Sequence, residues 1–165
     1  EACSSLRDHG MAKDRRYYHP VIGYNYRMTN LQAAVGVAQM ERINQFIAMK
    51  RALAAQYNEG LKDTPGITLP PQADWAFNVY WMYSILVDER EYGINAAELI
   101  RRLRAHNIDS RPFFVPIHEN PPYARADEYP VSTRLGKQGI NLPSAPTLRP
   151  DDVARIVACI RARGG

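Results

Sequence analysis

Thr29 is the residue from which this chain has to be built. Its hydroxyl stands just ahead of a helical run, and Gln32 three residues on completes a capping box. In such a box the side chains at a helix start satisfy backbone N–H groups that have no intrahelical partner. From Asn30 to about Lys62 the residues Leu31, Val35, Ala38, Ile43, Phe46, Ile47, Leu53, Tyr57 and Leu61 recur at steps of mostly three and four, the spacing of one helix face. The phase slips near Arg42, which leaves two arrangements open, one long helix or two in tandem. Ala33, Ala34, Gly36 and Ala38 strip one part of the run of bulk, which suits close contact in a core or between subunits. Ahead of Thr29, Tyr17 to Met28 (YYHPVIGYNYRM) has no helical period and reads as a loop or extended arm. The stretch from Gly23 to Gln39 therefore sets polar and aromatic side chains before a helix N-terminus. Unpaired N–H groups and a partial positive charge make such an end hospitable to an anion.

The remaining elements follow in order. Leu6 and Arg7 read as the tail of a helix stopped by Gly10, and a start at Glu1 without a lead predicts a truncated chain. Asp63 to Gly66 is a predicted turn, and Ile67 to Leu69 a short strand ended by Pro70 and Pro71. Asn78 to Asp88 (NVYWMYSILVD), rich in aromatic and β-branched residues, fits a central strand. Asn95 with Glu98 makes a second capping box, and Leu99, Ile100 and Leu103 give a helix ending near His106 its buried stripe. Ile108 to Phe113 is read as a strand leading into the Pro-rich loop VPIHENPPY. Tyr129 to Gln138 is read as a short helix and Gly139 to Leu142 as a short strand. Pro150, Asp151 and Asp152 open a last helix that runs to about Arg163, with Gly164 beyond, and buries Val153, Ile156, Val157 and Ile160. The expected fold is α/β: a long helix leading into a small mixed sheet covered by helices.

Composition narrows the function classes. The 165 residues are enough to bury a core, and 45% apolar with 23% charged content is that of an ordinary globular chain. No apolar run nears the ~18 residues of a membrane span, and Glu1 to Arg16 lacks the apolar core of a signal peptide. Cys3 and Cys159 are too few for a disulfide framework, so a cytoplasmic setting is expected. The net charge of +4 is spread over three small groups, Lys13 with Arg15 and Arg16, Arg101 with Arg102 and Arg104, and Arg155 with Arg161 and Arg163. That pattern does not predict a nucleic-acid binder.

The chain shows no phosphate-binding Gly-rich loop, no metal-spaced Cys/His set and no nucleophile elbow. Of its four histidines, His9 and His19 lie in loops, and His106 suits the negative end of a helix dipole. His118 differs. It follows Arg111-Pro112-Phe113-Phe114-Val115-Pro116-Ile117, in which prolines stiffen the loop and aromatics flank an Arg and a His. That grouping suits a site that stacks a ring and pairs with phosphate, or a packed loop.

Three segments carry a resemblance: GYNYRMTNLQAAVGVAQMERI, NIDSRPFFVPIHENPPY and INLPSAPTLRPDDVARIV. In this order, and across essentially the whole chain, they resemble the DegT/DnrJ/EryC1/StrS family of sugar aminotransferases, pyridoxal-phosphate enzymes of fold type I. Within it, RPFFVPIHENPPY is most similar to the GDP-perosamine synthases. The resemblance implies transfer of an amino group from glutamate to a nucleotide-diphosphate keto-sugar by a homodimer with shared sites. It also implies that residues 1–28 are a helix tail and arm of the cofactor domain, and that residues 29–165 are the long helix and small C-terminal domain. The lysine that holds the cofactor, and the acid on its ring nitrogen, are then expected upstream, in roughly 200 further residues. Lys13, Lys50, Lys62 and Lys137 do not sit in the lysine motif, so the chain alone is expected to be inactive.

By the same resemblance Asn25 reaches the cofactor phosphate of the partner subunit, and Arg27 positions the substrate diphosphate or holds the arm. Arg111 and His118 line the mouth of the sugar-nucleotide site, and Tyr24, Phe113, Phe114 and Tyr123 pack against base or sugar. No metal is implied. Two alternatives stay open, a dehydratase on the same fold and a non-catalytic dimerisation or sugar-nucleotide-binding module.

Overall fold

In the computed structural model, which describes residues 2–124 and 128–162, Thr29 caps its helix as expected. The Gln32 N–H donates to Thr29 Oγ1 at 3.3 Å, and the Thr29 N–H to Gln32 Oε1 at 2.9 Å. The chain divides into two compact units, Glu1–Ile43 and Asn44–Gly165.

In the first unit, α1 (Ala2–Leu6) ends as the sequence predicts. Gly10 sits at φ +66, and its N–H returns to Ser5 O at 2.9 Å. A Cβ there would lie 2.1 Å from Val21 O, so only glycine closes this turn. The arm then runs back along the helix tail. Asp8 and Asn25 form an antiparallel bridge, with His9 N donating to Tyr24 O and Tyr26 N to Arg7 O, both at 2.9 Å. The helix that Thr29 starts, α2 (Asn30–Met40), buries none of its residues. The helical run breaks at Glu41 and Arg42 and resumes as α3 (Ile43–Leu61), so the tandem arrangement is the one adopted.

The second unit is built on a four-stranded sheet in the order β1-β2-β4-β3. Its strands are β1 (Ile67–Thr68), β2 (Tyr83–Val87), β3 (Arg111–Pro112) and β4 (Gly139–Leu142). All three pairings are antiparallel, which corrects the expectation of a mixed sheet. In the central pair Tyr83 faces Leu142 and Leu86 faces Gly139. Tyr83, Ile85 and Val87 alternate inward from β2, as a sheet with one covered face requires.

Two strands are shorter than their sequences suggest. Asn78 to Met82 leaves the extended state because Tyr80 takes φ +49, and its N–H is held by Asn78 Oδ1 at 2.8 Å. Ile108 is lost to β3 because its N–H closes a helix end instead, donating to Leu103 O at 2.9 Å after Asn107 at φ +55.

The core is formed by α3, α5 (Ala96–Ala105), α7 (Pro150–Arg161) and the sheet. Tyr57, Leu61, Leu99, Leu103, Ile140 and Ile160 are each at most 1% exposed. The box at Asn95 and Glu98 forms as predicted, and Leu99 and Leu103 are the buried stripe. A short helix the sequence reading missed, α4 (Glu89–Tyr92), starts at Asp88, whose Oδ1 accepts from Arg90 N and Glu91 N. The short helix read before the last strand is α6 (Pro130–Gln138). Of the end expected for the last helix, Arg163 and Gly164 lie outside the described residues.

Gly66 ends the turn before β1 at φ +76, and a Cβ there would stand 2.4 Å from Tyr92 N. Gly66→Ala is expected to destabilise the chain by about 2 kcal/mol or more, from conformation and backbone clash together. At Gly93 the φ is +100 but the space is open, so Gly93→Ala should lose only about 1 kcal/mol. Urea midpoints of the two variants check the difference; equal losses would mean that the contact with Tyr92 relaxes.

Candidate functional site

The loop that follows β3 owes its shape to its prolines. Pro116, Pro121 and Pro122 fix φ at three positions, and two single 3-10 turns form at Ile117–Glu119 and Pro121–Tyr123. Asn120 Nδ2 donates back to Pro116 O at 3.0 Å and closes the first turn on itself. This places His118 half-buried, its ring 4.7 Å from that of Tyr129 and tilted by 43°. His118 Nε2 lies 3.2 Å from Thr133 Oγ1, and the Thr133 hydroxyl is 3.0 Å from Glu119 Oε1.

Beside His118 opens a cavity of about 500 Å³, lined by Ile117, His118, Pro122, Tyr123, Tyr129 and Ser132 among others. Two phenols, an imidazole and a hydroxyl around a partly apolar wall suit a ligand rich in hydroxyl groups. Four of those residues belong to the Pro-rich loop and two to the start of α6.

Of the residues singled out from the sequence, His118 and Tyr123 meet at this cavity. Arg111 lies on β3, exposed, with Nη2 3.9 Å from Asp109 Oδ2. Phe113 packs over Gly139, where any Cβ would stand 1.4 Å from its Cδ2, so its ring pins the loop to β4. Phe114 is 68% exposed and does not line the cavity. The sequence reading missed Tyr129, Ser132 and Thr133, which reach the loop from the next helix.

In the first unit, the backbone of Asn25 is held by its bridge to Asp8, while its carboxamide stays exposed. Arg27 Nη1 reaches Asp8 Oδ2 at 3.2 Å. The pair is solvated and adds little stability, but it neutralises the acid opposite Asn25. Tyr24 and Tyr26 stack with centroids 5.2 Å apart and planes 10° from parallel.

Lys50 is the lysine with an unusual setting. Its Nζ donates to Trp81 O at 2.9 Å, to Ser144 Oγ at 3.3 Å and to Ser144 O. Desolvation lowers its pKa, yet three acceptors occupy its three protons, so it ties α3 to two loops rather than standing free as a nucleophile. Lys62 pairs with Glu59 at 2.5 Å. Among the described residues no three His, Cys, Asp or Glu side chains are grouped to hold a metal ion, and no helix is long and apolar enough to cross a membrane.

Known proteins match along nearly the whole chain. The model of the DegT/DnrJ/EryC1/StrS aminotransferase family matches residues 1–161. GDP-perosamine synthase of Vibrio cholerae is 39% identical over 164 residues, which are 98% of this chain and 44% of that protein. Among solved structures, S. venezuelae DesV is similar with a TM-score of 0.83 and 29% identity, over 95% of this chain and 42% of that one. The aminotransferase TlmJ of Streptoalloteichus hindustanus shares the fold at a TM-score of 0.88 and 22% identity, over 98% of this chain and 43% of that one. The chain thus spans less than half the length of the relatives it matches. It belongs to the DegT/DnrJ/EryC1/StrS aminotransferase family.

Proposed function

We propose that this chain is the C-terminal part of a pyridoxal-phosphate aminotransferase acting on a nucleotide-diphosphate keto-sugar. The amino donor is glutamate, and the sugar is GDP-linked and of perosamine type. The observation that carries this reading is 39% identity with a GDP-perosamine synthase over 98% of the chain, including the loop that forms the His118 cavity. Residues 1–28 then belong with the cofactor domain, and residues 29–165 form the long helical run and the small domain. The setting is the cytoplasm.

Pyridoxal phosphate, when bound, supplies the aldehyde and electron-withdrawing ring that carry the amino group between substrates. The residues here fit its phosphate end. The exposed carboxamide of Asn25 can donate to a phosphate oxygen, and the neighbouring acid is already neutralised by Arg27. The bridge to Asp8 holds that amide on a fixed backbone, which lowers the entropy lost when it engages the partner subunit's cofactor. The lysine and ring acid belong to the remainder of the protein.

In the second unit, His118 and Tyr123 bind and orient the sugar, while the prolines keep the cavity shaped before the ligand arrives. Arg111 offers an exposed guanidinium to the diphosphate. Leu31 (82% exposed) and Val35 (64%), beside the small residues of α2, offer an apolar face for the subunit contact that shared sites require.

The test is a turnover assay of the complete protein. Formation of 2-oxoglutarate from glutamate beyond one equivalent per cofactor should depend on an added GDP-linked keto-sugar; continued formation that needs no sugar would count against the reading. In the same assay His118→Ala should raise KM for the sugar nucleotide about tenfold, as expected for one lost hydrogen bond to a desolvated site. The half-reaction with glutamate should change less than twofold. An equal loss in both half-reactions would place His118 at the cofactor or in the loop's structure.

A further inference from the structure

The hydrogen bonds around His118 can run in only one direction. An ionised carboxylate accepts and cannot donate, so the Thr133 hydroxyl must give its single proton to Glu119 Oε1, 3.0 Å away. Thr133 Oγ1 is then left with lone pairs alone toward His118 Nε2 at 3.2 Å, and the nitrogen must be the donor. In the neutral form of the ring the single N–H is therefore at Nε2. Glu119 Oε1 itself lies 3.7 Å from Nε2 and supports the same polarity. Nδ1 is therefore bare, and it makes no hydrogen bond among the described residues. Tyr129, tilted against the ring, keeps it from swinging.

We infer that Glu119 and Thr133 are positioning residues that turn a bare Nδ1 of His118 to the ligand, and that the ligand group there is a sugar hydroxyl rather than a phosphate oxygen. A bare nitrogen accepts a hydrogen bond from O–H and repels the lone pairs of a phosphate oxygen. Among the described residues the cavity lining agrees, since it supplies phenols and a hydroxyl but no Lys or Arg. The diphosphate is then bound elsewhere, and His118 reads the sugar. This rests on the nucleotide-sugar reading above and sharpens it.

The experiment uses the complete protein labelled with 15N at histidine, with His118→Gln identifying the His118 resonances. With the ring neutral, Nε2 should appear protonated and Nδ1 bare. A GDP-linked keto-sugar should shift Nδ1 as it accepts a hydrogen bond, whereas GDP alone should leave it in place. A proton on Nδ1 in the unliganded protein, or an equal shift with GDP, would overturn the inference.

Kinetics gives an independent arm. Thr133→Val keeps the side-chain shape but cannot accept from Nε2, and should raise KM for the sugar nucleotide about tenfold with kcat within twofold. Thr133→Ser should restore KM to within about twofold. A loss in kcat at unchanged KM, or no rescue by serine, would mean that Thr133 is merely structural. The spectrum is read without turnover, so failure of the positioning of His118 shows there, and failure of the aminotransferase reading shows as absence of amination.

Discussion

Tyr57→Ala is expected to lower the stability of the chain by about 4 kcal/mol, the scale of removing a buried aromatic ring. Tyr57 is fully buried on α3 and stacks on Tyr83 with centroids 4.7 Å apart and planes 24° apart. Its hydroxyl donates to Pro143 O at 2.8 Å, just beyond β4. One side chain thus joins helix, central strand and the chain beyond the next strand. Burial, and then the neighbouring Tyr83, push its hydroxyl pKa up, so it stays neutral and keeps donating across the working pH range. Tyr57→Phe keeps the stack and drops only the hydrogen bond, so it should lose about 1 kcal/mol. Urea unfolding of both variants separates the contributions. A loss below about 1.5 kcal/mol for Tyr57→Ala would show that neighbours collapse into the space.

Asn25→Asp is expected to weaken retention of pyridoxal phosphate in the complete protein about 100-fold. On the role proposed for Asn25, the substitution keeps shape and sets a carboxylate against phosphate where an amide donor stood. Like charges ~4 Å apart at an effective dielectric near 20 repel by about 4 kcal/mol, more than a 100-fold change requires. Arg27 cannot absorb the new charge fully, since it already pairs with Asp8. Asn25→Ala, which removes the donor without adding charge, should fall between the two. Dialysis followed by cofactor absorbance gives the measurement, and equal retention in all three proteins would remove Asn25 from the phosphate site.

What the sequence shows well is what is local. The boxes at Thr29–Gln32 and Asn95–Glu98 form as read because both partners sit within one turn. The stop at Gly10 is likewise a matter of one residue's φ. Strand lengths and directions fared worse, because they depend on partners far along the chain. Asn78 to Met82 looks extended by composition, yet the left-handed Tyr80 turns it away from the sheet. Nothing near Gly139 announces that it pairs with Leu86. The missed helix at Glu89–Tyr92 had readable signals, an Asp before it and a Gly at φ +100 after it, but its single turn carries no apolar period.

The site divides in the same way. His118 and Tyr123 lie within one Pro-rich loop and could be found from its motif. Tyr129, Ser132 and Thr133 reach the same place from the following helix, and only the folded chain brings them there. Phe113 packs over Gly139, a contact legible only once β4 is in place.

The central claim is that the complete protein moves nitrogen from glutamate to a nucleotide-linked sugar. The direct measurement is mass spectrometry of a GDP-linked 4-keto-6-deoxy sugar incubated with the complete protein, pyridoxal phosphate and 15N-glutamate. The account predicts a GDP-sugar product carrying one 15N atom in place of the keto oxygen. A folded, cofactor-loaded protein that returns the sugar unlabelled, or removes a hydroxyl without adding nitrogen, would contradict it.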